Sequence, residues 1–123
     1  LAEDNDINAA VAMEILKAHG MNVERAKDGQ EVVDMYLKSA EGRYDAILMD
    51  VRMPKIDGMQ ATKIIRNSSH DRAKSIPIIA MTADAFDEDM KRTMQAGMNA
   101  HLTKPIDIKK LIKTLVSLIH KEN

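Results

Sequence analysis

The sequence predicts an α/β fold in which a doubly wound parallel sheet carries helices on both faces. Along the chain, short apolar runs alternate with runs that repeat at helical spacing. Residues 46–49 and 75–82 are largely continuous apolar runs, as expected for strands that are covered on both sides. The 123 residues are 45% hydrophobic, which is enough for the core of a single domain spanning residues 1–123.

The first element is an amphipathic helix followed by an edge strand. Ile7, Val11 and Ile15, together with Ala12 and Leu16, repeat at helical spacing, and Gly20 ends the helix. Met21 and Val23 then alternate with polar residues, which is typical of an edge strand.

A second helix and the first buried strand come next. Asp28-Gly29 leads into a helix with apolar residues at positions 32, 33, 36 and 37. The run Ala46 to Met49 predicts a strand, and Gly58 to Arg66 predicts a short helix with Ile64 and Ile65 facing inward.

The last third of the chain repeats the pattern. Residues 75–82 predict a buried strand, Asp84 to Ala96 a helix that stops at Gly97, and Ala100 to Thr103 a short strand. Asp107 is expected to cap the final helix. That helix has the clearest apolar stripe, formed by Ile108, Leu111, Ile112, Leu115, Val116 and Ile119.

The first strand is unusually short. It should precede Glu3 and Asp4, yet only Leu1 and Ala2 stand there. In a doubly wound sheet this strand is central, and losing about four buried aliphatic side chains would cost on the order of 6–12 kcal/mol. We therefore expect the sequence to begin inside the strand, through omission of upstream residues. A truncated or domain-swapped chain is the alternative.

Charge and composition argue against several classes of binding partner for this chain, nucleic acid and membranes among them. The net charge is -1 and the pI about 6.5, so there is no basic footprint for nucleic acid. No apolar run reaches the roughly 18 residues of a membrane span, and membrane contact is not expected. The chain has no Cys, which excludes thiolate metal sites and fits a cytoplasmic location.

Acidic residues stand where two predicted strands end. Glu3 and Asp4 follow the first strand, and Asp50 ends the strand at 46–49. Parallel strands bring their carboxyl ends to one edge of the sheet, so the three carboxylates are expected to converge. Two unit charges at 4 Å repel by about 4 kcal/mol at an effective dielectric of 20, which makes a bound cation favourable. Oxygen-only ligation suits Mg²⁺.

Asp50 is the expected nucleophile of this site. A carboxylate can attack phosphorus to form an aspartyl phosphate. Lys104 would contact another phosphoryl oxygen, and the Thr82 hydroxyl would bind one as a switch. Each residue alone has a simpler interpretation: Asp50 as a turn residue, Glu3 and Asp4 as an N-cap pair, Thr82 as a helix cap and Lys104 as a solvated charge. Their conjunction favours a phosphoryl site.

These residues also resemble a known family. The chain is similar to the receiver domain of two-component response regulators over nearly its whole length. The stretches that carry the resemblance are Leu1-Ala2-Glu3-Asp4-Asn5, Met49-Asp50-Val51-Arg52-Met53-Pro54, Asp57-Gly58, Ala80-Met81-Thr82-Ala83 and Thr103-Lys104-Pro105-Ile106. The resemblance implies a flavodoxin-like sheet of five parallel strands in the order 2-1-3-4-5.

The resemblance also implies specific roles. Asp50 would take phosphate from a phosphohistidine on a histidine kinase or a histidine-containing phosphotransfer domain. Glu3, Asp4, Asp50 and the backbone carbonyl of Arg52 would surround Mg²⁺. Thr82 would be the switch hydroxyl. Lys104, in turn, would contact the phosphate.

Further features are similar to receivers attached to hybrid histidine kinases, among them Glu3-Asp4-Asn5 and the stretch 81–86. This context would make the chain the cytosolic part of a membrane-bound sensor kinase, and a stand-alone regulator is the alternative. Signalling, or pairing with a second copy, would use the face formed by residues 84–96, 100–103 and 107–120. His101 stands where many receivers carry an aromatic residue, and it serves either packing or a pH-sensitive switch.

Two other functions stay open at this point. One is a docking module that works without phosphorylation. The other is a small Mg²⁺-dependent phosphatase, which is disfavoured because the chain leaves no room for a cap domain and because Arg52, not a second acid, stands two residues after Asp50.

Overall fold

A computed structural model describes residues 1–40, 42–70, 72–82, 87–104 and 107–121. Helices and strands alternate through these residues, which confirms the α/β class. The helices are α1 (Asp6–Ala18), α2 (Gly29–Leu37), α3 (Gly58–Arg66), α4 (Asp87–Ala96) and α5 (Ile108–Lys121). The strands are β1 (Ile47–Asp50), β2 (Ile78–Thr82) and β3 (Ala100–Thr103). The predicted start of the fourth helix at Asp84 lies outside the described residues.

The sheet is parallel, and its three regular strands lie in the order expected for the last three strands of 2-1-3-4-5. Strands β1, β2 and β3 lie side by side, with Asp50 opposite Met81 and Thr82 opposite Thr103. Single parallel bridges join Ala2 to Met49 and Ala2 to Ala26. Ala2 therefore lies between Ala26 and β1, which is the arrangement of the first three positions in the order 2-1-3-4-5. Within the described part of the chain, however, only three of the five expected strands are regular.

The predicted edge strand at Met21 and Val23 is wrong, because residues 21–25 form no strand. Within the described residues the segment pairs only at its end, where the Leu1 nitrogen donates to the Glu24 carbonyl at 2.9 Å and the Ala26 amide donates to the Leu1 carbonyl at 2.8 Å. Alternation of apolar and polar residues indicates a strand, but a strand also needs ladder hydrogen bonds along its length. A cavity of about 510 Å³ lies at this place, and its walls include Leu16, Val23, Tyr36, Leu48 and Leu115.

Two apolar layers sandwich the sheet. Because successive strand residues face opposite sides, Met49 and Ile78 pack with α2 and α3, whereas Leu48 and Ile79 pack with α1 and α5. Tyr36, Val33, Ile65 and Met98 belong to the first layer, and Leu16, Leu111 and Leu115 to the second. Helices therefore cover both faces, as predicted.

The buried faces of two helices differ from the sequence pattern. Ile7, Val11 and Ile15 are 75%, 53% and 37% exposed, and of the predicted apolar residues of α1 it is Leu16 that is buried, together with Ala9. The inward orientation expected for Ile64 is wrong, since this side chain is 44% exposed. The buried stripe of α3 consists of Gly58, Ala61, Thr62 and Ile65, and Ile64 lies one residue out of phase with it.

Among the described helices, none combines the length and the apolar composition that crossing a membrane requires.

Candidate functional site

Three acidic side chains meet at the carboxyl edge of the sheet. One carboxylate oxygen from each of Glu3, Asp4 and Asp50 lies within 4.8 Å of the others. Glu3 and Asp50 are only 3% and 5% exposed, whereas Asp4 is exposed. The structure thus brings together the three acids that the sequence selected, with two of them largely removed from water.

Backbone pairing fixes the positions of these acids. The amide of Asp50 donates to the Ala2 carbonyl at 3.0 Å, and the amide of Ala2 donates to the Leu48 carbonyl at 2.8 Å. Glu3 therefore follows directly from a residue bonded to β1, and its side chain lies beside that of Asp50.

The cap of α1 leaves both acids at residues 3 and 4 available. The N-cap is Asn5, whose side chain accepts a hydrogen bond from the amide of Asn8 at 2.9 Å. The interpretation of Glu3 and Asp4 as an N-cap pair is therefore wrong. Asn5 satisfies the helix terminus, and although Oε2 of Glu3 accepts from the amide of Asn5 at 3.3 Å, the helix does not depend on Glu3 or Asp4 as its N-cap.

Lys104 bridges the two buried acids. Its Nζ lies 2.8 Å from Oδ2 of Asp50 and 3.1 Å from Oε1 of Glu3. Burial lowers the pKa of Lys104, but hydrogen bonds to Asp50 and Glu3 outweigh burial, and the pKa of the ammonium is raised above its usual value. Lys104 therefore stays cationic at neutral pH.

The donor set fits a divalent cation. Three carboxylates against one ammonium leave two negative charges in the site. The ammonium contacts one oxygen of Glu3 and one of Asp50, and the second oxygens accept from the amides of Asn5 and Arg52 at 3.3 and 3.2 Å. Each carboxylate oxygen has two lone pairs and can bind a metal beside such a hydrogen bond, and Asp4 is open to solvent. All three ligating groups offer oxygen only, which matches the preference of Mg²⁺.

Thr82 ends the strand next to Asp50. Met81 is the register partner of Asp50, and Thr82 follows it at the same edge of the sheet, 9% exposed. The Thr82 carbonyl accepts a hydrogen bond from the amide of Lys104 at 2.8 Å. A backbone hydrogen bond therefore joins Thr82 and Lys104 beside the acids.

The loop after Asp50 is anchored at both ends. Oδ1 of Asp50 accepts a hydrogen bond from the amide of Arg52 at 3.2 Å, while the Arg52 side chain is exposed. A Cβ on Gly58 would lie 2.3 Å from the Asp50 carbonyl oxygen, so only glycine allows α3 to start this close to β1. The role of the Arg52 carbonyl in binding a metal stays a prediction.

Contacts with α2 hold the same loop from the other side. Lys55 has a φ of 69° and forms an ion pair of 3.4 Å with Asp28, the N-cap of α2. A Cβ on Gly29 would lie 2.0 Å from the Ile56 carbonyl oxygen. Sequence reasoning missed these contacts, although a positively charged residue directly after Pro54 was visible.

His101 connects β3 to α4. Its Nε2 contacts the hydroxyl of Thr93, which is buried on α4. The contact is consistent with a packing role, and a pH-sensitive switch at His101 stays a prediction. Pro105 and Ile106, which follow Lys104, lie outside the described residues.

Comparison with protein families identifies the family of this chain. The sequence-family model of the response regulator receiver domain matches residues 1–116. The chain belongs to this family. The resemblance drawn from the sequence is thereby confirmed, and the fold of solved receiver domains confirms the flavodoxin-like fold class.

Related receiver domains occur within larger kinases. The chain is 42% identical over 120 residues to the osmosensing histidine protein kinase SLN1 of Saccharomyces cerevisiae, covering 95% of this chain and 10% of that protein. It spans between 5% and 10% of the length of the first histidine kinases that it matches.

Solved receiver domains have the same fold. The receiver domain of the sensor histidine kinase PA1611 from Pseudomonas aeruginosa, with magnesium coordinated in its active-site cleft, has a TM-score of 0.86 at 39% identity and covers 97% of this chain and 93% of that chain. A complex of the S. cerevisiae phosphotransfer protein Ypd1 with the receiver domain of Ssk1 matches with a TM-score of 0.84 at 29% identity, covering 98% and 87%.

Proposed function

We propose that this receiver domain is a phosphoacceptor switch in a phosphorelay, with Asp50 as the residue that takes the phosphoryl group. The observation that carries the proposal is the setting of Asp50, a nearly buried carboxylate that ends a strand between two further acids and a lysine ammonium. Hydrogen bonds from Lys104 and from the amide of Arg52 hold this carboxylate at the carboxyl edge of the sheet.

We infer that Glu3, Asp4, Asp50 and the backbone carbonyl of Arg52 hold Mg²⁺. The oxygen-only donors and the two residual negative charges support this assignment. The magnesium ion in the PA1611 receiver domain is a further support. Bound Mg²⁺ would offset the negative charge on the moving phosphoryl group.

The transfer step uses groups of this chain. A carboxylate oxygen of Asp50 attacks the phosphorus of a phosphohistidine, and the new P–O bond forms as the P–N bond to the leaving imidazole breaks. The ammonium of Lys104 binds an oxygen of the transferred group, where its charge opposes the charge that develops there. Water later hydrolyses the acyl phosphate and restores the carboxylate.

Signalling follows from the same contacts. The Thr82 hydroxyl would donate to a phosphoryl oxygen only when one is present, which gives the domain two states. The change would reach the face formed by α4, β3 and α5. A difference of a few kcal/mol in binding free energy between the states is enough to shift the population. A target protein or a second copy of the chain would read this face.

The phosphodonor is a histidine kinase or a histidine-containing phosphotransfer protein. Ile7, Val11 and Ile15 form an exposed apolar stripe on α1, the helix that begins two residues after Asp4. A partner helix packed on this stripe could present its phosphohistidine to Asp50. The Ypd1–Ssk1 complex supports a donor of this kind. We propose that this exchange takes place in the cytoplasm, a location that the cysteine-free sequence fits.

Transfer from a defined donor tests the proposal. A histidine-containing phosphotransfer protein carrying labelled phosphate is mixed with the chain and Mg²⁺, and the label on each protein is followed with time. We expect label to move to the wild-type chain and not to Asp50→Asn. Equal labelling of both forms, or none on the wild type with several donors, would overturn the proposal and favour docking without phosphorylation.

A further inference from the structure

The guanidinium of Arg25 forms two hydrogen bonds to the backbone carbonyl of Glu3, between two of the acids, and this pair of hydrogen bonds is called the carbonyl grip. Its Nε and Nη2 both donate to the carbonyl oxygen of Glu3, at 3.0 and 2.9 Å. Its Nη1 donates to Oδ1 of Asp6 at 2.8 Å. The Arg25 side chain is 16% exposed, so the grip on the Glu3 carbonyl forms largely out of water.

The gripped oxygen belongs to the peptide that joins Glu3 to Asp4. A peptide unit is planar, so fixing its carbonyl oxygen fixes the plane as a whole. That plane sets ψ of Glu3 and φ of Asp4, and with them the directions in which both side chains leave the backbone. Two converging N–H donors restrain the plane more strongly than a single hydrogen bond would.

Arg25 supplies donors at a point where the sheet ladder has ended. The amide of Ala26 donates to Leu1 and the amide of Glu3 donates to Ala26, at 2.8 and 3.1 Å. In a continuing parallel ladder, the amide of Asp28 would donate next to the Glu3 carbonyl. Asp28 instead caps α2, and the Arg25 guanidinium serves the Glu3 carbonyl.

The charge of Arg25 is balanced by Asp6, which is not one of the three acids of the site. Asp6 is 85% exposed and takes the third hydrogen bond of the guanidinium. The guanidinium can therefore hold the acidic loop while its charge is offset by Asp6, which limits its repulsion of an incoming cation.

We propose that Arg25 is a positioning residue for magnesium, which holds the Glu3–Asp4 peptide so that both carboxylates face Asp50. The inference rests on the proposed function, because it takes these three acids as the metal site. The inference assigns this role to the two hydrogen bonds from Arg25 to the Glu3 carbonyl and not to the positive charge of the arginine.

Titration of the chain with MgCl₂ in a calorimeter tests the inference without phosphorylation. Arg25→Met removes the grip, and we expect its Mg²⁺ affinity to fall about tenfold or more, the usual effect of losing a residue that orients a ligand. Arg25→Lys keeps the charge but not the fork of donors, so it should also lose affinity. In autophosphorylation by acetyl phosphate, the Mg²⁺ concentration for half-maximal rate should rise in both variants.

Two variants serve as matched controls. Asp6→Asn breaks the ion pair but keeps the carbonyl grip, and Arg43→Met breaks a surface ion pair with Glu24. Both should bind Mg²⁺ within about threefold of the wild type, as expected for exposed pairs. The inference fails if Arg25→Lys binds as tightly as the wild type, or if Asp6→Asn loses as much affinity as Arg25→Met. Should Arg25→Met not fold, Arg25→Lys decides.

Asp4→Asn separates this inference from the proposed function. If Asp4→Asn weakens Mg²⁺ binding and the Arg25 variants do not, only the role of Arg25 is overturned. If Asp4→Asn binds like the wild type, the metal site itself is wrong and both proposals fall.

Discussion

Lys104 donates to Asp50 across the sheet edge, with Nζ 2.8 Å from Oδ2, although 54 residues separate them in the chain. The same ammonium reaches Glu3 at 3.1 Å. A cation is thus built into the acidic site, and it limits the repulsion between carboxylates that would otherwise oppose folding. The ammonium and a bound metal ion would then share the stabilisation of Asp50.

Replacing Lys104 by Met should destabilise the metal-free domain and make it depend on Mg²⁺. The variant leaves Glu3 and Asp50 buried without their cationic donor, which should lower the free energy of unfolding by about 1–3 kcal/mol. Mg²⁺ should restore part of this loss, because it meets less cationic repulsion. Urea unfolding with and without MgCl₂ measures both effects. Lys113→Met, at an exposed position of α5, is the control, and an equal response of the two variants would contradict the role of Lys104.

A methyl group at Gly58 should disturb the site through the backbone. The Cβ of Gly58→Ala would lie 2.3 Å from the Asp50 carbonyl oxygen and 3.0 Å from Met49 Cγ. We expect a loss of about 2–3 kcal/mol in unfolding free energy and slower phosphorylation, because β1 must shift. Gly20→Ala meets no atom within 4 Å but keeps a φ of +84°, and should cost only about 1–2 kcal/mol. Phosphorylation by Gly58→Ala at the wild-type rate would speak against the tight approach.

The cap of α2 should give the stability a defined dependence on pH. The side chain of Asp28 accepts from the amide of Glu31 at 2.8 Å, and this hydrogen bond lowers the pKa of Asp28 below its usual value, with Lys55 adding to the effect. A carboxyl with a lowered folded pKa stabilises the fold above its unfolded pKa, and this contribution disappears as the pH falls through the folded pKa.

Asp28→Asn isolates this contribution, because asparagine also caps a helix but does not titrate. We expect the wild type to exceed Asp28→Asn in unfolding free energy at pH 7 and the difference to shrink steadily below about pH 4. Urea unfolding between pH 3 and 7 measures the difference. A difference that stays constant over this range would contradict the assignment.

The exposed stripe of α1 should matter for the partner and not for the fold. Val11 is 53% exposed, so Val11→Ser should change the unfolding free energy by less than about 0.5 kcal/mol. It should nevertheless weaken phosphotransfer from a phosphohistidine protein, while autophosphorylation by acetyl phosphate stays unchanged. Leu16→Ala, which opens the buried side of the same helix, should cost about 2–5 kcal/mol. Unaltered transfer to Val11→Ser would exclude the stripe as the docking face.

The convergence of the site could be predicted from the sequence because it depends on topology. Once parallel strands are assigned, Asp50 and Lys104 must end at one edge, whatever their side-chain rotamers. The helix at Gly58–Arg66 and the strand at Ala100–Thr103 were likewise predicted with the bounds that the structure has. Strong caps and clear apolar runs define these elements locally.

Features that depend on a distant partner were missed. The segment at Val23 has the alternation of a strand, but within the described residues it pairs only from Glu24 onward, and periodicity alone cannot reveal this. The burial of Ile65 and not Ile64 depends on how α3 lies on the sheet. The hydrogen bonds from Arg25 to the Glu3 carbonyl leave no pattern in the sequence, because a side chain that bonds a backbone atom 22 residues away has no periodic signature.

Intact-mass measurement with a small phosphodonor tests the central claim most directly. The chain and its Asp50→Asn variant are incubated with acetyl phosphate, with and without MgCl₂, and the modified residue is located by peptide mapping. We predict that the wild type gains one phosphoryl group, on Asp50 and only with Mg²⁺, and that the variant gains none. An unmodified wild type at saturating Mg²⁺, or a phosphoryl group on another residue in both proteins, would contradict the assignment of Asp50.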